Sequence, residues 1–117
     1  MSRTPQEIFQ HHAAALVAGD VEEVAADYTD DAVLITPHGV LHGRAGAHEA
    51  FTVLLGELGE VTLDVPTQVF ADDVLYIEWT AQSPRTRVTD GVDTFVFSDD
   101  GIRVQTVHCT IEHPGEA

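Results

Sequence analysis

Four side chains of this 117-residue chain combine reactive chemistry with a suggestive position: Asp93, Glu78, His12 and His108. Asp93 precedes Thr94-Phe95-Val96-Phe97 and falls in phase with Phe95 and Phe97. If that phase faces an interior, the carboxyl is desolvated, its pKa rises, and it becomes a proton donor close to neutral pH. The alternative is a strand-start aspartate turned to solvent after Asp90-Gly91. Glu78 shares its phase with Val74, Tyr76 and Thr80, a mixed lining suited to a pocket, whereas Leu75, Ile77, Trp79 and Ala81 on the opposite phase suit a packed interface. Its alternative is an exposed strand glutamate. Two carboxyls facing inward would split into an acid and a base.

His12 lies one helical turn from Ile8 and one from Leu16, on an apolar face. It is either a core histidine bonded to a carbonyl or carboxylate, or the partner of Asp93 or Glu78 across a pocket. His108 shares a strand phase with Val104, Thr106 and Thr110, and Cys109 takes the other phase with Val107 and Ile111. The hairpin register decides which of the two looks inward. Cys109 has no local activator and reads as a packing residue. His38, His42 and His48 lack the spacing and mixed ligands of a metal centre, so no metal is expected. No phosphate-cradling glycine loop and no serine elbow occurs, and no cofactor is expected.

Positioning such groups requires helices over a sheet. Thr4, Pro5 and Glu7 form a capping box, Ile8, Phe9, His12, Leu16 and Val17 share one face, and Gly19 ends that first helix. Asp20 and Glu23 restart it, with Val21, Val24, Ala25 and Tyr28 as the stripe of a short second helix. Ala32 to Thr36 reads as a buried strand ended by Pro37. After the stretch His38–Gly43, a third helix runs from Arg44 to Leu58, with His48, Phe51, Leu54, Leu55 and Leu58 inward and Gly59 as its stop. Beyond Glu60 the chain is extended: Val61–Phe70, Val74–Gln82, Arg87–Phe97 and Ile102–Glu112 are rich in β-branched and aromatic residues. Turns fall at Asp72-Asp73, Ser83-Pro84 and Ser98-Asp99-Asp100-Gly101, and the tail from His113 is expected to fray. Pro66 places its strand at an edge or a bulge. The class is α+β, in one domain over residues 1–117, with three helices on one face of a mainly antiparallel sheet.

Composition narrows the partners. Twenty acidic residues face five arginines and no lysine, a formal charge of −15. Such a chain cannot neutralise phosphates, which excludes nucleic acid, and anionic membrane surfaces repel it. Stretches free of charge and histidine are no longer than Ala13–Gly19, too short for a membrane-spanning helix. No secretory leader is expected from Met-Ser-Arg-Thr-Pro-Gln-Glu, and the single Cys109 cannot form an internal disulfide, so the expected compartment is the cytoplasm.

Gly19-Asp20-Val21-Glu22-Glu23-Val24, Tyr28-Thr29-Asp30-Asp31-Ala32, His42-Gly43-Arg44 and Asp93-Thr94-Phe95-Val96-Phe97, in that order and spacing, resemble the NTF2-like superfamily, in particular its SnoaL-like and ketosteroid-isomerase-like members. The resemblance implies a cone-shaped, curved sheet enclosing a pocket, often dimerising through its outer face. Against the isomerase pattern, Asp93 matches the protonated acid that donates to an oxyanion. His12 stands where the family has a donating tyrosine, Tyr28 matches a pocket tyrosine and Phe51 a pocket aromatic. Thr36 replaces the general-base aspartate, and a hydroxyl cannot take a carbon-bound proton at neutral pH, so steroid isomerisation by the usual route is not expected. The Asp-Arg-Asp arrangement of epoxide-hydrolase relatives is not matched either, since Arg85 and Arg87 follow the Ser83-Pro84 turn.

Two functions follow as expectations. One is a cofactor-free isomerase, cyclase or dehydratase acting on a small apolar or carbonyl-bearing molecule. Asp93 would be its acid and Glu78, His12 or His108 its base, in a pocket lined by Tyr28, Thr36, His38, Phe51, Tyr76 and Phe95. The other is a ligand-binding or protein-interaction module. In either case the chain is expected to form a homodimer, the interaction module through a sheet face carrying Leu75, Ile77, Trp79 and Val107.

Overall fold

In the computed structural model, which describes residues 3–98 and 101–114, three helices cover one face of a six-stranded sheet, the third of them following the first two strands. Helix α1 (Pro5–Ala18) starts as its capping box dictates: the Glu7 N–H donates to Thr4 Oγ1 at 3.1 Å and the Thr4 N–H to Glu7 Oε1 at 2.8 Å. Gly19, in the left-handed region at φ 71°, ends it. Helix α2 (Val21–Ala26) is capped by Asp20, and helix α3 (Gly43–Leu58) ends at Gly59. The α3 terminus is held by a loop far along the chain, since the buried Thr86 hydroxyl donates to the Leu58 carbonyl at 2.9 Å.

The strands are β1 (Tyr28–Thr36), β2 (Gly39–His42), β3 (Thr62–Ala71), β4 (Val74–Gln82), β5 (Arg87–Ser98) and β6 (Gly101–His108). Their order is β2-β1-β6-β5-β4-β3, antiparallel except for the β1–β6 pair. Pro66 has both properties its chemistry demands, because β3 is an edge strand and its register with β4 shifts between Asp64 and Thr67. Further register shifts occur in β1, β4 and the β5–β6 pair, and such bulges bend a sheet.

Three boundaries differ from those read in the sequence. Tyr28 opens β1 instead of closing the second helix, because α2 stops at Ala26 and the Ile102 N–H draws in the Asp27 carbonyl at 2.8 Å, seating Tyr28 opposite Ile102. The stretch after Pro37 is a short strand, β2, folded back on β1. The Thr36 hydroxyl organises that turn, accepting from the His38 N–H and donating to the Gly39 carbonyl. The last strand ends at His108, with only an Arg87–Glu112 bridge beyond it. The Asp99-Asp100 turn and the tail residues Gly115 to Ala117 lie outside the described residues.

The sheet has two distinct faces. Leu34, Gln105, Phe95 and Leu75 lie in one cross-strand row under the helices, and all four are buried. Outside, Val40, Ile35, Thr106, Thr94, Tyr76 and Val69 form a row across all six strands. The long-range tie at the end of α3 generates a test. Thr86→Val is expected to lower stability by about 1–2 kcal/mol, since a buried carbonyl loses its donor, while Thr86→Ser keeps most of it. Urea unfolding of the two variants reads the difference.

Candidate active site

Helices α1 and α3 and the inner face of the sheet enclose a cavity of about 60 Å³. Its walls are hydrocarbon: Phe9, Leu16, Phe51 and Leu54 above, Val65, Ile77, Phe95 and Val107 below. Among the described lining residues four side chains carry polar groups, His12, Trp79, Asp93 and Gln105, and their polar atoms lie just behind the hydrocarbon surface of the cavity.

Asp93 projects from β5 beside Phe95 and is only 6% exposed. The indole N–H of Trp79 donates to its Oδ1 at 2.8 Å and the Gln105 amide donates to Oδ2 at 2.8 Å. Burial pushes the Asp93 carboxyl up to about 6, and the hydrogen bonds from Trp79 and Gln105 pull against that without cancelling it. Trp79 reaches this position because its cross-strand partner is Gly91. A Cβ on Gly91 would come within 2.3 Å of the indole, so no other residue leaves room for the ring. Gln105 is oriented in turn by Tyr28, whose hydroxyl donates to its Oε1. Burial raises the Tyr28 pKa well above the usual phenol value, with the Asp93 and Asp27 charges adding to it, so Tyr28 stays a neutral donor.

His12 is 1% exposed, its ring edge-on to those of Tyr28, Phe51 and Phe95 at centroid distances of 5.7–5.8 Å. Neither ring nitrogen has a hydrogen-bond partner. Nδ1 faces Asp27 Oδ2 at 3.5 Å, an approach of charge and dipole instead of a hydrogen bond. The Asp27 carboxylate, also buried, accepts from His11 Nδ1 at 2.8 Å and from Arg3 Nη1 at 2.9 Å. Burial pushes its pKa up, but the His12, His11 and Arg3 groups outweigh that and hold it below the usual carboxylate value. The same contact raises His11.

The cavity therefore brings together His12, Phe51, Asp93 and Phe95 of the residues singled out in the sequence. Tyr28 stands one layer behind, packed against the His12 and Phe51 rings and hydrogen-bonded to Gln105. Glu78 and Tyr76 do not face it: the more apolar Leu75, Ile77 and Trp79 take the inward phase of β4, which puts the alternate residues on the outer surface. There the Tyr76 and Thr67 hydroxyls donate to the Glu78 carboxylate and keep its pKa low. The expected interface phase, Leu75, Ile77, Trp79 and Val107, accordingly faces the helices. His108 is exposed on the outer face, 3.7 Å from Asp90, because a bulge near Arg103 sets Gln105 and Val107 inward. Thr36 and His38 belong to the β1–β2 turn, away from the cavity lining. His42 is exposed at the start of α3, and His48 pairs with Glu22 at 3.0 Å. Cys109, half-buried, is pushed up to about 11 by burial and nearby carboxylates.

Trp79, Gln105 and Asp27 escaped the sequence reading as site residues. Two signals pointed to them: a glycine inside a strand marks a close approach, and a lone amide alternates with Val107 and Cys109 on β6. Nothing local marks Asp27, whose burial depends on the distant Gly101-Ile102 segment.

Three helices packed on a six-stranded, mostly antiparallel sheet define the α+β class of NTF2-like, or cystatin-like, folds. Residues 9–105 match the sequence model of the SnoaL-like domain, and the chain belongs to that family. Among solved structures it is similar to an NTF2-like protein of unknown function from Burkholderia xenovorans LB400 (19% identity, 97% of this chain and 86% of that one, TM-score 0.74). It is also similar to an uncharacterised cystatin-fold protein from Novosphingobium aromaticivorans (17%, 92% and 99%, TM-score 0.75). A third is SalBIII, an epoxide hydrolase/cyclase-like enzyme in pyran ring formation of the polyether salinomycin (21%, 93% and 95%, TM-score 0.76). No curated protein sequence matches the chain. No helix among the described residues is long and apolar enough to cross a membrane.

The Asp93 shift has a defined effect on stability. Its folded pKa lies above its unfolded one, so its contribution is most favourable below about pH 4 and is lost as the pH rises to about 6. Urea unfolding between pH 4 and 7 is therefore expected to show Asp93→Asn gaining on the wild type by about 3 kcal/mol across that window, then running parallel to it. A difference that does not change with pH contradicts the assignment.

Proposed function

We propose that this chain is a cofactor-free acid–base enzyme acting on a small, mainly apolar molecule that carries a carbonyl or hydroxyl group. The observation that carries this reading is the Asp93 carboxyl, buried in a hydrocarbon cavity between two fixed neutral donors and titrating at about 6. Protonated Asp93 donates to a substrate oxygen. The carboxylate of Asp27 favours the proton of His12 on Nδ1, which leaves the Nε2 lone pair to take a proton from carbon or oxygen. The pair fits an isomerisation, a cyclisation or a dehydration, and the cyclase-like description of SalBIII supports that range. Thr36 supplies no base, in keeping with its place in a turn.

Deuterium exchange at the carbons flanking the carbonyl of 2-hexanone, followed by proton NMR in D₂O, tests the reading. Saturable exchange is expected, declining as the pH rises through about 6 where Asp93 loses its proton, and falling at least ~100-fold in Asp93→Asn and in His12→Gln. Exchange unchanged in both variants, with folding intact by circular dichroism, rejects it.

A second proposal concerns the outer face, where Val40 (53% exposed), Ile35 (41%), Tyr76 (36%) and Val69 (56%) join Thr106 and Thr94 in an uncharged row across the sheet. We infer that two copies pair through this row as a homodimer. Sedimentation of the wild type as a dimer and of Val69→Glu as a monomer is expected; a monomeric wild type at micromolar concentration rejects the pairing.

A further inference from the structure

We propose, resting on the acid–base reading of the cavity, that its ligand is a neutral two-part molecule: a short polar head beside Asp93 and His12, and a larger apolar body lying in the groove between the C-terminal ends of α1 and α3. The cavity of about 60 Å³ holds only a fragment. A groove of about 610 Å³ adjoins it, and the two share Leu16, Val17, Leu55 and Val61 as walls. All four are half-buried or exposed, whereas Phe51, Asp93, Phe95 and Gln105 of the cavity lining are buried. The hollow and the groove thus meet at these four side chains. Small residues keep that groove empty: Ala18, Gly19, Gly56 and Gly59 line it, and nothing stands within 4 Å of where a Gly56 side chain would begin.

The polar head follows from His12. A buried imidazole with two unpartnered nitrogens is unfavourable by the desolvation of at least one polar group, and a head group inside the cavity supplies the missing partner. The Trp79 and Gln105 donors are engaged by Asp93, so they leave His12 to read the ligand. Neutrality follows from charge. Glu60 is the one charged side chain among the described groove residues, no arginine lines groove or cavity, and a chain at −15 repels anions. The ligand class is a neutral ketone or alcohol on a hydrocarbon chain or ring system longer than its head.

Trp79 is the chain's single tryptophan and lines the cavity, so its fluorescence reports binding there directly. Titration with 2-alkanones from 2-butanone to 2-decanone is expected to tighten by about fourfold per methylene throughout the series. Gly56→Glu is expected to weaken 2-decanone at least tenfold more than 2-butanone, and alkanoates of equal length to bind at least tenfold more weakly than the ketones. An affinity that levels off after 2-butanone, or Gly56→Glu acting equally on short and long ketones, overturns the two-part ligand; equal binding of alkanoates overturns its neutrality. The same series in Asp93→Asn separates this from the acid–base reading. Chain-length dependence that persists while exchange is unaltered by that substitution removes the catalytic assignment alone, and lost chain-length dependence with exchange abolished removes the groove alone.

Discussion

A carboxyl group held inside hydrocarbon is the constraint around which the inner face of this sheet is organised. Its oxygens need donors, and both donors are themselves placed by something else. Trp79 lies flat only because Gly91 opposite it has no side chain, and Gln105 presents its amide only because the Tyr28 hydroxyl occupies its carbonyl. Tyr28 is seated by the tie between Asp27 and Ile102 that starts the parallel β1–β6 pairing. Four strands, β1, β4, β5 and β6, thus converge on one acid.

That arrangement is not the most stable one available. The two donors favour the ionised form and the hydrocarbon favours the neutral form, and burial prevails. Volume-matched hydrocarbon at Asp93 would relieve the conflict, as it does for many buried ionic groups. The same holds for His12, buried with both nitrogens unpartnered in a core of Tyr28, Phe51 and Phe95. Local rules broken in one place, without compensation nearby, are where function concentrates.

How much of this was legible in the sequence depended on whether the signal was local. The capping box at Thr4 to Glu7 and the glycine stops at Gly19 and Gly59 are short-range chemistry, and the helices begin and end there to within a residue. Asp93 followed from alternation with Phe95 and Phe97, which survives because the bulge in that hairpin falls on β6. On β6 the same bulge reversed the reading, sending His108 outward and Gln105 inward. Glu78 was misplaced because a strand carrying apolar residues on one phase and mixed ones on the other does not say which side the helices cover; Trp79, which needs both a large space and a polar contact for its N–H, decided it. Asp27 was beyond reach, since its burial is made by residues about seventy-five positions away.

Two buried carboxylates lie near the helices, and their proton affinities move in opposite directions. Burial acts on both, so the difference must come from their partners. Asp27 meets Arg3, His11 and the facing His12, all able to carry positive charge, and it stays ionised. Asp93 meets an indole and an amide, dipoles without charge, and burial pushes its carboxyl up to about 6. In a chain with no lysine and five arginines, Arg3 is the arginine on the Asp27 side of His12, and none of the described arginines lines the cavity. The imidazole is left between a permanent anion behind Nδ1 and a hollow whose acid can hold its proton close to neutral pH, which is the separation of roles that a two-group proton transfer requires.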